Sequence, residues 1–138
     1  MSDYSRLLRH ARTAQKRSHS PYSRFRVGSA LLTAGGKIYK GCNIEVSSYG
    51  LTICAERTAI FKAISEGEKK FRAIAVVSDE HGFISPCGAC RQVIMDLAGD
   101  IDIVMSNGSG EWRVLKTSDL LPHPFGPKDL KKVQRKKK

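Results

Sequence analysis

The sequence predicts an α/β protein, a three-layer α-β-α sandwich around one mixed sheet of about five strands, and three observations carry that expectation. Candidate helices and strands follow one another in the order αββαβαββ, the alternation of a layered α/β domain. The continuous apolar run Ala73-Ile74-Ala75-Val76-Val77 reads as a central strand covered on both faces. Residues 71 to 105 have the length that a right-handed βαβ crossover requires.

The elements can be justified in turn. Ser2 or Asp3 can cap a first helix whose apolar positions Tyr4, Leu7, Leu8, Ala11 and Ala14 follow the 3.6-residue period and which ends before Ser20-Pro21. Val27 to Leu32 and Ile38 to Cys42 flank Ala34-Gly35-Gly36-Lys37, the signature of a β-hairpin. Turn residues fill Asn43 to Gly50. From Cys54 to Glu66 the rows Ala55, Ala59, Ala63 and Ile60, Ile64 recur at four-residue spacing, and Gly67 stops that helix. A third helix carries the stripe Cys90, Val93, Ile94, Leu97. Ile101 to Met105 and Glu111 to Lys116 read as further strands, and Ser118 to Leu121 as a turn of helix before Pro122.

Length and composition bound the rest. A chain of 138 residues with 41% hydrophobic and 27% charged residues excludes the disordered and low-complexity classes and suits one domain with one core. We expect a folded domain over residues 1–127 and a basic, disordered tail over 128–138. No apolar run approaches the ~20 residues of a membrane helix, and the N-terminus has no signal-peptide core, so a cytoplasmic protein is expected. The net charge of +11 divides into +6 in residues 1–26, −1 across 27–127 and +6 in 128–138. Basic ends of this kind are most simply solvated, and they can also hold a polyanion weakly and without specificity.

Four cysteines, Cys42, Cys54, Cys87 and Cys90, point to metal or catalysis in a cytosolic chain of this size. Cys54 opens the second helix, and Cys87 with Cys90 opens the third. Three thiolates can therefore converge where two helix dipoles offset part of their charge. Three protein ligands and one open position mark a catalytic zinc site, and Glu56 stands two residues beyond Cys54. Cys54-Ala55-Glu56 with Pro86-Cys87-Gly88-Ala89-Cys90 is the signature of zinc deaminases: a ligand, a glutamate two residues on, then P-C-x-x-C.

Together with Gly41-Cys42-Asn43-Ile44-Glu45, Ser85 to Gln92, and Leu120-Leu121-Pro122 through Phe125-Gly126-Pro127, these motifs resemble the small homotetrameric zinc-dependent cytidine deaminases over about residues 4 to 127. The resemblance implies that Cys54, Cys87 and Cys90 bind one Zn²⁺ per subunit. It implies that Glu56 carries protons between a water, the ring nitrogen of cytosine and the departing amine. It further implies that Asn43 and Glu45 hold the ribose 3′-hydroxyl, Phe25 packs on the nucleoside, the backbone of Ala55 contacts the pyrimidine, and Phe125 enters a neighbouring subunit's site. Arg26 stands where the family usually has proline, and His123-Pro124 where it has a small pair.

Plainer readings stand beside these. All four cysteines could form a structural zinc site, although Cys42 and Cys54 are too far apart for a second knuckle. Glu56 could be an ordinary first-turn acid, and Arg57 could be a solvated helix charge, but beside three zinc-bound thiolates of net −1 its guanidinium is expected to hydrogen-bond a sulfur and restore the ion's Lewis acidity. Phe25 and Phe125, taken singly, read as core or interface aromatics, and Cys42 as a small buried hydrophobe. The expected activity is hydrolytic deamination of cytidine and 2′-deoxycytidine to the uridines with release of ammonia, as in pyrimidine salvage. The alternatives are a nucleic-acid-binding or RNA/DNA-editing protein on the same zinc core, and a deaminase of a nucleoside antibiotic such as blasticidin S.

Overall fold

Helix α1, Asp3–Gln15, buries Leu7, Leu8, Ala11 and Ala14 along one stripe and leaves Arg9 and Arg12 on its outer side. In the computed structural model, which describes residues 3–131, that stripe lies on a five-stranded sheet. The strands are β1 Val27–Thr33, β2 Ile38–Cys42, β3 Phe71–Ser78, β4 Asp102–Ser106 and β5 Trp112–Lys116, in the order β2-β1-β3-β4-β5. Of the five strands, β3 and β4 pair in parallel, through the crossover helix α3, Gly88–Leu97, and the other neighbours in the sheet pair antiparallel, so the sheet is mixed. Helix α2, Ala55–Ser65, precedes β3, and the short α4, Thr117–Leu120, follows β5.

Side chains on a strand alternate between faces, and that alternation sorts the core into two halves. Ala30 and Leu32 of β1 with Ala73, Ala75 and Val77 of β3 meet α1, whereas Leu31, Ile74, Ile103 and Met105 meet α2 and α3. Both faces of the sheet are thus covered, as the Ala73 to Val77 run predicts. The element order agrees with the expected αββαβαββ, and boundaries move by one or two residues. β3 gains Phe71, which pairs with Thr33 at the sheet's end. β4 starts at Asp102 because the Ile101 amide is taken by the Gly99 carbonyl and the Thr117 hydroxyl. Gly67 follows α2 at φ 99°, a left-handed conformation that ends a helix cheaply only with glycine.

Gly41 sets where the second helix sits. A Cβ there would lie 2.5 Å from both the Ala55 carbonyl and the Ala59 amide nitrogen, so only glycine lets the first turn of α2 rest directly on β2. The helix start, and with it Cys54 and Glu56, is seated against the sheet. Residues 127–131 are helical, where the tail was expected to begin; residues 132–138 of that tail lie outside the described residues. Among the described residues no helix is long and apolar enough to cross a membrane.

Candidate active site

Cys54 and Cys87 occupy equivalent places, each the residue immediately before a helix, with extended backbone (φ −71°, ψ 155° and φ −64°, ψ 166°). Neither side chain caps its helix, so both sulfurs are free to face the gap between the two N-termini. Cys90, fully buried in the first turn of α3, completes the group: the three sulfurs lie within 4.8 Å of one another, and those of Cys54 and Cys87 are 3.9 Å apart. Sulfurs bonded to one tetrahedral zinc at 2.3 Å would stand ~3.8 Å from each other, so the donor set suits that ion. Cys42 is not in the group. Half-buried at the end of β2, it directs its thiol to the Arg17 carbonyl at 3.4 Å, and the four-cysteine structural site is thereby excluded.

Charge explains why the thiols need a cation. Donation from Cys90, with Arg57 assisting, brings the Cys54 pKa down to about 5, while its hydrogen bond to Cys54 and its own burial push Cys90 up. Of this pair, without metal, Cys54 therefore carries the negative charge. Arg57 Nη2 donates to Cys54 Sγ at 3.4 Å, and the same contact holds the guanidinium protonated. In metal-free protein we expect iodoacetamide at pH 6.5 to alkylate Cys54 ahead of Cys42 and Cys90, because the thiolate reacts and Cys54 is ionised above about pH 5. Peptide mass mapping reads this. Preferential labelling of Cys90 would contradict it, and zinc should protect all three cluster cysteines.

Glu56 is 4% exposed, and burial pushes its pKa up to about 7, with the neighbouring Cys54 charge raising it further against its own backbone hydrogen bond. It lines a cavity of about 210 Å³ together with Cys54, Ala55, Phe25, Asn43 and Glu45. The structure thus gathers every expected substrate contact of one chain except Phe125, which is 57% exposed and lies elsewhere, its carbonyl accepting from Gln92 Nε2 at 2.6 Å.

The cavity wall depends on contacts that the sequence does not announce. Asn43 Oδ1 accepts from the Val27 amide at 3.0 Å and from the Ser18 hydroxyl, and its Nδ2 donates to the Phe25 carbonyl at 2.8 Å. Most of that side chain therefore holds the Phe25 segment. Glu45 accepts from the Tyr22 and Ser23 amides at 2.9 and 3.1 Å and from the Ser23 hydroxyl; that hydroxyl bond is the largest cause of its lowered pKa. Arg26, in place of the family's usual proline, meets Asp79 with Nε, Nη2 and its own amide at 3.0 to 3.2 Å. A proline could not make that last bond. The pair is too exposed to add much stability, yet it ties the Phe25 loop to the end of β3.

The zinc-binding region shared by cytidine and deoxycytidylate deaminases matches residues 1–106. This chain belongs to that deaminase family. The cytidine deaminase of Sporosarcina psychrophila is 46% identical over 129 residues, covering 93% of this chain and 95% of the relative. A probable cytidine deaminase of Dictyostelium discoideum is 51% identical over 121 residues, 87% of this chain and 82% of that one. Among solved structures, the crystal structure of cytidine deaminase from Burkholderia pseudomallei superposes with a TM-score of 0.87 at 47% identity, covering 91% of this chain and all of the other. Family membership and the sulfur cluster of Cys54, Cys87 and Cys90 together fit one zinc per chain.

Proposed function

We propose that the chain deaminates cytidine and 2′-deoxycytidine hydrolytically, releasing uridine or 2′-deoxyuridine and ammonia, in the pyrimidine salvage of the cytoplasm. The observation that carries this reading is the buried Glu56 carboxyl in one cavity with Cys54, whose sulfur clusters with those of Cys87 and Cys90. When bound, zinc supplies hydroxide near neutral pH by lowering the pKa of water from 15.7 to about 7. Glu56, itself near 7, takes one proton from the attacking water and passes it to N3 of the cytosine ring, then takes the second from the hydroxyl now on C4 and passes it to the departing amine. Ala55, as the first residue of α2, has a backbone N–H without a helical partner and offers it to the pyrimidine. Phe25 packs on the nucleoside.

Hydrogen-bond capacity assigns the ribose contacts. Asn43 Oδ1 is already used by two donors, whereas Nδ2 keeps one proton to give a ribose oxygen. Glu45, ionised by its Ser23 and Tyr22 donors, retains lone pairs for a ribose hydroxyl. A phosphodiester at that position would place an anion against a carboxylate, which favours the free nucleoside over a polymer or an editing substrate. Incubation with cytidine, followed by the ultraviolet change as cytosine becomes uracil and paired with a zinc assay, tests the reading. Stoichiometric zinc without turnover would overturn it.

We also infer a homotetramer in which Phe125 completes a neighbour's site. Tyr22 and Tyr49, which line a neighbouring pocket that shares Ser23, Glu45 and Thr52 with this cavity, are 51% and 72% exposed, an apolar rim that a second copy would cover. Mixing Glu56→Gln protein with Phe125→Ala protein, each impaired alone, is expected to restore part of the activity by pairing an intact Glu56 with an intact Phe125. An active monomer by light scattering would refute the shared site.

A further inference from the structure

We propose that Arg91 is a positioning residue for the metal site: its guanidinium locks the Ser85-Pro86-Cys87 segment against α4 and so keeps the Cys87 thiol within reach of Cys54 and Cys90. Arg91 directly follows Cys90 on α3. Its Nε donates to the Pro86 carbonyl at 2.8 Å, Nη2 to the Ser85 hydroxyl at 2.7 Å and Nη1 to the Leu120 carbonyl at 3.0 Å. Its backbone amide also donates to the Cys87 carbonyl at 2.9 Å.

The need for such an anchor follows from where Cys87 sits. Residues 79–87 form neither helix nor strand, and Cys87 is the exposed member of the three thiols. Cys54 is seated by the approach of α2 to Gly41, and Cys90 by its place inside α3. Cys87 is held on its C-terminal side by the first backbone bond of α3 and on its N-terminal side by what pins the loop before it. Arg91 holds the two residues preceding Cys87 and ties them to the end of α4, joining three pieces of chain through one rigid planar group. A lysine has a single ammonium and cannot reach acceptors that diverge in this way. Groups that orient metal ligands commonly account for ~10 to 100-fold in metal affinity. The adjacent Gln92 grips the Phe125 carbonyl, so the same turn of α3 also fastens the C-terminal arm.

This inference rests on the zinc reading above, and its test separates the two. Metal-free wild type, Arg91→Lys and Ser85→Ala would be titrated with Co²⁺, reading the thiolate-to-cobalt absorption band, the affinity by chelator competition and the melting temperature without metal. We expect Arg91→Lys to bind Co²⁺ ~10 to 100-fold more weakly with an altered band, and Ser85→Ala to lose a smaller factor. A role in folding alone would lower the metal-free melting temperature and leave affinity and band unchanged, and that result would overturn the proposal. If Arg91→Lys does not fold, Ser85→Ala decides by the same comparison. A wild type without a thiolate band would refute the zinc reading and this proposal with it.

Discussion

Glu56→Gln should lose at least the ~10² to 10⁴-fold in turnover that general acid-base catalysis contributes, while keeping its zinc. The amide has the shape of the carboxyl and none of its proton capacity, and the three thiols are untouched. A group with a pKa of about 7 can both accept and give a proton near neutral pH, and burial is the main reason that Glu56 is such a group. The same shift makes a second, independent expectation. The folded pKa lies above the unfolded value of 4.5, so the native state holds the proton more tightly and wild-type stability falls as pH rises through the window from 4.5 to about 7. Glutamine has no such dependence. In metal-free protein the melting temperature of the variant relative to wild type should therefore climb across that window, toward an advantage of up to ~3 kcal/mol. Near wild-type turnover would remove Glu56 from the mechanism, and a pH-independent difference in melting temperature would show that the carboxyl is not desolvated.

What the sequence revealed and what it concealed divide by distance along the chain. Cys54 and Glu56 are two residues apart, Cys87 and Cys90 three, and each pair falls at a helix start that local patterning marks, so the chemistry was legible. The Gly-Gly hairpin and the stop at Gly67 were legible for the same reason, since one residue's backbone freedom determines each. The supports of the site join residues far apart and leave no period. Asp79 meets Arg26 across 53 positions, Ser23 meets Glu45 across 22, and Leu120 meets Arg91 across 29. Asp79, Ser23 and Arg26 are exposed polar side chains. Only the folded chain gives them a role. Asn43 shows the limit most clearly, for its place in a motif pointed to the ribose and gave no sign that most of its amide holds Phe25 and Val27.

Cys90→Ala should abolish zinc binding and activity together, whereas Cys42→Ser should keep both. Cys90 is fully buried beside Cys54 and Glu56, and in metal-free protein its hydrogen bond to Cys54 stabilises the Cys54 thiolate. Zinc binding requires Cys90 to surrender that proton, so affinity should rise with pH in wild type. Alanine leaves two sulfurs, one short of the three protein ligands that hold a catalytic zinc, and opens a cavity where the third stood. The affinity loss should exceed the ~10 to 100-fold that outer partners command. It should also release Cys54: without its Cys90 donor the thiol pKa moves up from about 5, and alkylation at pH 6.5 slows. Cys42, bonded to the Arg17 carbonyl and outside the cluster, serves as the control because serine can make the same bond. Metal content by atomic absorption, measured beside cytidine turnover, reads both variants. Retention of stoichiometric zinc by Cys90→Ala, or its loss in Cys42→Ser, would show that the ion is held by a different set of sulfurs.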